Sequence, residues 1–167
     1  RRVRGKVIVA RKPVITAAPT AEQIEHRNRF KMAVDYGKGA MSGEDMRDLY
    51  VAAAKQKDLP VYAVIIANYF NAPTIHSLDR DGYTGAAGGV FDIIVTDDFA
   101  VANVTVRILD DQENLVESGN ATQASDGPSR WNYNATATIT TDVTIEVTAR
   151  DFPGGVTVRQ FPFAKPN

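Results

Sequence analysis

The chain has 167 residues, 44% of them apolar and 23% charged, with no cysteine and a net charge of −1. This is an ordinary globular composition, long enough to build a core without staples, and it excludes disulfides and thiol chemistry. The small net charge hides a division: up to Ala72 there are 13 Lys/Arg against 7 Asp/Glu, a balance of +6, and from Pro73 onward 6 against 13, a balance of −7.

Residues 1–19 read as a basic arm. Arg1, Arg2, Arg4, Lys6, Arg11 and Lys12 occur with no acid among them. Lys6–Ala10 has β-branched alternation and is expected to form one short strand, which Pro13 and Pro19 keep from growing.

Residues 20–72 read as a small helical unit. Thr20-Ala-Glu-Gln23 is a capping-box pattern and predicts a helix to about Lys38, with Ile24, Arg27, Phe30, Ala33 and Val34 on one side. Gly37 and Gly39 are expected to end it. Ser42-Gly-Glu-Asp45 reads as a second cap, opening a helix with Met46, Leu49, Tyr50 and Ala53 at helical spacing. Asp58 is expected to cap a third segment with Pro60 at its first position. That segment is apolar nearly all round and should be buried. A strand at Tyr62–Ile66 is the alternative, but about eleven residues without a turn signal favour helix.

Residues 73–167 lose helical spacing after Ala72-Pro73. Thr74–Leu78 alternates, and Gly82 to Gly89 is a loop. Phe91, Ile93 and Val95 alternate with polar or flanking positions. Val101–Leu109 follows, with Val104, Val106 and Ile108 on one side. Short segments at Leu115–Glu117 and at Trp131, Tyr133, Ala135 and Ala137 come next. Val143, Ile145, Val147 and Ala149 form the clearest strand, and Pro153-Gly154-Gly155 turns it back into Val156–Phe163. About seven strands at this spacing signal an antiparallel β-sandwich.

Three places resemble the immunoglobulin-like modules of bacterial surface and multidomain proteins. They are the Asp97-Asp98 turn running into Val101–Val106, Trp131 with Tyr133 opening a late strand, and Thr144–Asp151 entering the turn at Gly154-Gly155. The resemblance covers up to half of the chain. It implies a sandwich fold with roles in adhesion, spacing or binding of protein or carbohydrate, and it implies no catalytic residues.

Aspartates gather at the turns. Calcium takes six to eight oxygens, so Asp97, Asp98 and Asp151 are a candidate site if they meet. The competing reading is that aspartate favours turns because it bonds its own backbone. His26 and His76 lack metal-ligand spacing, and no G-x-S-x-G or phosphate-loop lysine is present. Gly85 to Gly89 therefore reads as a flexible hairpin loop. The sequons at Asn103, Asn120 and Asn134 read as polar strand positions. Trp131 and Tyr133 sit two apart on one strand face, as core or as a sugar-stacking platform. Arg2, Arg4, Lys6, Arg11 and Lys12, with Arg27, Arg29 and Lys31 beyond them, are a candidate basic surface. It would meet nucleic acid, the acidic sandwich or another subunit, or it is a simple solvated tail.

The sequence thus predicts an α+β protein: a basic arm over 1–19, a helical unit over 20–72, and an immunoglobulin-like sandwich over 73–167. Its expected function is non-enzymatic binding or scaffolding through a protein partner or self-association, with no cofactor. Nucleic-acid binding through the arm, and calcium or carbohydrate binding by a surface module, are the alternatives. No apolar run approaches the roughly 20 residues of a membrane helix, so no membrane insertion is expected. No signal peptide is visible in a chain that starts at Arg1. The family resemblance inclines toward the envelope or medium.

Overall fold

Thr20 opens the first long helix as its capping box requires: its backbone N–H donates to Gln23 Oε1 at 3.2 Å, and the Gln23 N–H donates to Thr20 Oγ1 at 3.2 Å. The structure is a computed structural model, and it describes residues 18–166 together with the backbone of Arg2–Val3 and Lys6–Val7. Those two pairs form strands β1 (Arg2–Val3) and β2 (Lys6–Val7), which pair antiparallel. The rest of the expected Lys6–Ala10 strand lies outside the described residues.

Two compact units divide the chain, Arg1–Met32 and Ala33–Asn167. In the first, helix α1 (Ala21–Ser42) begins with all its residues exposed through Met32. In the second, α1 continues and buries Ala33, Gly37 and Ala40. The expected stop at Gly37 and Gly39 is therefore wrong. Gly37 serves packing instead: a Cβ there would lie 3.1 Å from Ile65 Cγ2 and 3.2 Å from Tyr62 Cε1. The buried stripe is made of small residues, whereas Ile24 and Phe30 stay exposed.

Helix α2 (Glu44–Lys57) starts at Gly43 with no side-chain cap. Ser42 does not cap it, because its hydroxyl donates back to the Gly39 carbonyl at 2.7 Å as the last residue of α1. Asp58 likewise ends α2 in the left-handed conformation, φ 52°, rather than starting the next helix. Helix α3 (Val61–Phe70) follows Pro60, which stands just outside it, and buries Val64, Ile65 and Asn68. Helix is thus the correct alternative for this apolar run, although Tyr62 is left exposed.

Eight strands follow rather than seven. They are β3 (Thr74–Asp79), β4 (Val90–Thr96), β5 (Val101–Asp110), β6 (Leu115–Asn120), β7 (Thr122–Gln123), β8 (Arg130–Asn134), β9 (Val143–Asp151) and β10 (Val156–Phe163). The additional one is the two-residue β7, too short to leave an alternation signal. They make two antiparallel four-stranded sheets, β10-β9-β5-β6 and β3-β4-β8-β7. The alternating positions form one core. Phe91, Ile93, Val95, Trp131 and Tyr133 come from one sheet, and Val104, Val106, Ile108, Val143, Ile145, Val147 and Ala149 from the other. Each such aliphatic or aromatic side chain contributes roughly 1.5–3 kcal/mol on full burial, which makes this cluster the main source of stability. Side chains also stitch the edges of the two sheets together: Arg159 donates to the carbonyls of Ile75 and His76, and Thr157 to that of Pro73. Among the described residues no helix is long and apolar enough to cross a membrane.

Candidate functional site

The turn Asp97–Ala100 links β4 to β5 at one end of the sandwich, and it is where the helices of the second unit meet the sheets. Asp97 Oδ1 accepts the backbone N–H groups of Phe99 at 2.8 Å and Ala100 at 3.1 Å, the turn chemistry that aspartate favours. Its neighbour Asp98 faces the helices: Asp98 Oδ2 accepts from Asn71 Nδ2 at 2.5 Å, and the Asp98 carbonyl accepts from Lys57 Nζ. The Phe99 ring stacks on Tyr50 and meets Phe152 edge-on, with centroids 6.2 Å apart.

Asp151 ends β9 next to this turn, since its register partner is Val101. Only 2% of it is exposed. Its Oδ1 accepts from the N–H groups of Gly154 at 2.7 Å and Gly155 at 2.5 Å, closing the hairpin into β10. Gly155 is required here, because a Cβ would fall 2.5 Å from Asp151 Oδ2 and 3.2 Å from Ala72 Cα.

Both carboxylates thus use Oδ1 for two backbone donors, and both Oδ2 atoms are buried without a hydrogen-bond partner. Burial pushes the Asp97 carboxyl above its ordinary range, against its backbone bonds, and the Asp98 charge adds to the rise. Burial likewise raises Asp151, and the charge of Asp97 raises it further.

Beneath them, Asn68 Nδ2 donates to Tyr50 Oη at 2.8 Å, and Tyr50 Oη shares a 3.1 Å hydrogen bond with Tyr36 Oη. Tyr50 is fully buried, and burial above all keeps its hydroxyl protonated far beyond the usual tyrosine range. Asn68 Oδ1 is a third buried acceptor without a partner. This network escaped the sequence reading. Its one legible signal is an asparagine inside the apolar run Val61–Phe70.

The expected site residues are only partly brought together. Asp97 and Asp151 interact electrostatically, while Asp98 is held by Asn71 and Lys57. Among the described residues no group of three or more histidines or carboxylates is placed to hold a metal ion. Of the basic arm, Arg2 and Lys6 fall in the paired strands β1 and β2, and Arg4, Arg11 and Lys12 lie outside the described residues. Trp131 and Tyr133, 7% and 5% exposed, are core and present no platform to a sugar. His76 Nε2 pairs with Thr96 Oγ1 at 2.6 Å. Two of the sequon asparagines face each other across β5 and β6, Asn103 Nδ2 donating to Asn120 Oδ1 at 3.4 Å.

A second polar centre was also missed. Glu117, on β6, accepts four bonds: from Tyr133 Oη at 2.6 Å, Thr136 N at 2.8 Å, Thr136 Oγ1 at 2.9 Å and Ala137 N at 2.8 Å. Arg130 similarly bridges Asp92 and Asp126 across the sheet surface.

The sequence matches no family model and no curated protein. Among solved structures it is similar to CopC from Methylosinus trichosporium OB3b, with 16% identity and a TM-score of 0.43 over 55% of this chain and 91% of that one. It is also similar to an engineered protein, with 21% identity and a TM-score of 0.40 over 55% of this chain and 20% of that one.

Proposed function

We propose that the chain is a non-enzymatic binding and assembly module that associates with a second copy of itself. The observation that carries this reading is the first half of α1. From Ala21 to Met32 every residue is exposed, including Ile24 at 47%, Phe30 at 48% and Met32 at 58%. Helices in proteins owe most of their stability to packing an apolar face, and among the described residues this stretch buries none. Ala21, Ile24, Glu25, Asn28, Arg29 and Met32 line a shallow recess of about 510 Å³ along it. A second copy is a fitting occupant because the chain carries +6 in its first 72 residues and −7 in the rest, so two copies are complementary in charge.

Two charged groups of the sandwich are engaged structurally. The Glu117 carboxylate is spent on four structural donors, and Arg130 on two aspartates. The two-sheet sandwich is also the fold that the resemblance to bacterial immunoglobulin-like modules implies, and such modules adhere, space and bind.

Light scattering coupled to gel filtration, at low and high salt, tests the proposal. A dimer or higher species that the triple substitution Ile24→Glu, Phe30→Glu, Met32→Glu converts to monomer supports it, and weakening by salt identifies the charge contribution. A monomer at every concentration and salt would refute it.

A further inference from the structure

We infer that the self-association is head to tail: the exposed half of α1 in one copy docks on the free edge of β6, beside the β5–β6 turn, in the next. This rests on the self-association reading and adds the surface that receives the helix. Charge decides against helix meeting helix. The positive excess of the first 72 residues lies wholly in the unit Arg1–Met32, which holds nine Lys/Arg against two Asp/Glu, whereas residues 33–72 hold four against five. Two such units set face to face repel one another. The acid excess lies in residues 73–167, so the basic face of one copy is complemented by the sandwich of another.

Exposure selects the part of the sandwich that fits. Strand β6 is an edge of its sheet, and it opens with Leu115, 53% exposed, and Val116, 39% exposed. Val116 lines a recess of about 300 Å³ with Ile139 and Val143, whose lining among the described residues includes Asp110 and Asp111 and no Lys or Arg. Asp110 holds the turn by accepting from the N–H groups of Gln112 at 2.9 Å and Asn114 at 2.7 Å, and Asp111 and Glu113 stay exposed on it. The other exposed apolar strand residues of this sheet, Val156 and Val158, stand beside bases instead: Val156 is the register partner of Arg150, and Val158 precedes Arg159. The α1 face mixes apolar and charged groups in the same way with the opposite sign. Arg27 lies three residues from both Ile24 and Phe30, and Lys31 four beyond Arg27, which makes them neighbours on the helix surface. Because the two surfaces differ, the contact is heterologous. It leaves one α1 face and one β6 edge free at the ends, and it therefore continues into a ring or a filament.

Two full-length variants, each disabling one side, test this by light scattering on gel filtration at low salt, where charge contacts are least screened. One carries Ile24→Glu, Phe30→Glu and Met32→Glu, the other Asp111→Lys, Glu113→Lys and Leu115→Lys. Each alone should be monomeric, because each lacks one half of every contact. An equimolar mixture should form a dimer and nothing larger, because one intact α1 face then meets one intact β6 edge. If the β6-edge variant assembles as the wild type does, or if the mixture is anything but a dimer, this docking surface is wrong while self-association through α1 stands. If the wild type is monomeric at every concentration, both fall. Should either variant fail to fold, carbodiimide coupling of amines to carboxyls in a mixture of ordinary and isotope-labelled wild type decides. Lys31 should be joined to Asp111 or Glu113 of the other copy, and coupling to neither overturns the inference.

Discussion

Tyr50 lies flat against Phe99, with ring centroids 4.0 Å apart and planes 13° apart. One ring belongs to α2 and the other to the turn between β4 and β5, so this stack, with the bonds from Lys57 and Asn71 to Asp98, joins helices to sheets. Tyr50→Ala removes a fully buried aromatic and should cost about 3–5 kcal/mol. Tyr50→Phe keeps the stack but leaves Asn68 Nδ2 without its acceptor, and should cost about 1–3 kcal/mol. Urea unfolding of the two variants checks the order; equal losses would mean that the hydroxyl network, not the ring, carries the joint.

Gly37 and Gly39 sit two residues apart in α1 and should respond oppositely to alanine. At Gly39 a Cβ meets nothing within 4 Å, so Gly39→Ala should stabilise by roughly 0.5–1 kcal/mol through helix propensity. At Gly37 the same methyl presses on Ile65 and Tyr62, and overpacking of about 1–3 kcal/mol exceeds that gain. Thermal melts should therefore shift up for the first and down for the second.

Glu117 should make stability depend on pH at the acid end. Burial raises its carboxyl, but the bonds from Tyr133, Ala137 and Thr136 outweigh this and hold it below the ordinary range. A depressed native value means that the stabilisation is complete above the unfolded value of about 4.3 and is lost as pH falls through the native one. Glu117→Gln cannot accept from Ala137 N and Tyr133 Oη at once, and should cost about 1–3 kcal/mol at neutral pH while flattening the acid limb. Melting curves from pH 7 downward test both effects.

Thr20→Ala removes one half of the capping box and should cost about 1 kcal/mol of helix stability. Because residues 21–32 are all exposed among the described residues, that loss should be local: faster amide exchange in the first turns of α1, with little change in the global melt.

The lessons of the sequence are uneven. Thr20 and Gln23 are three residues apart, and their capping is a local event, so the pattern was sufficient. The inward residues of β4, β5 and β9 alternate because a strand's side chains point to opposite faces, and that period survives any tertiary context. Gly37, by contrast, looked like a helix end because glycine takes left-handed geometry easily, yet its role is to admit Ile65 and Tyr62 from α3, 25 or more positions away. Asp58 and Ser42 look like N-caps in sequence and act otherwise, because which neighbouring backbone group a short polar side chain meets depends on where the next helix packs.

The aspartates show the same boundary. Asp97 and Asp151 were legible as turn residues, since each bonds backbone N–H groups within four positions. That the second oxygen of each would be buried without a partner was not, because burial arises only when distant elements close on one another. The sequence by itself determined the periodicities, the local caps and the charge division, all of which depend on near neighbours. The tertiary structure alone decided which polar groups lost their water, and loss of water is what raises a turn aspartate above its ordinary range.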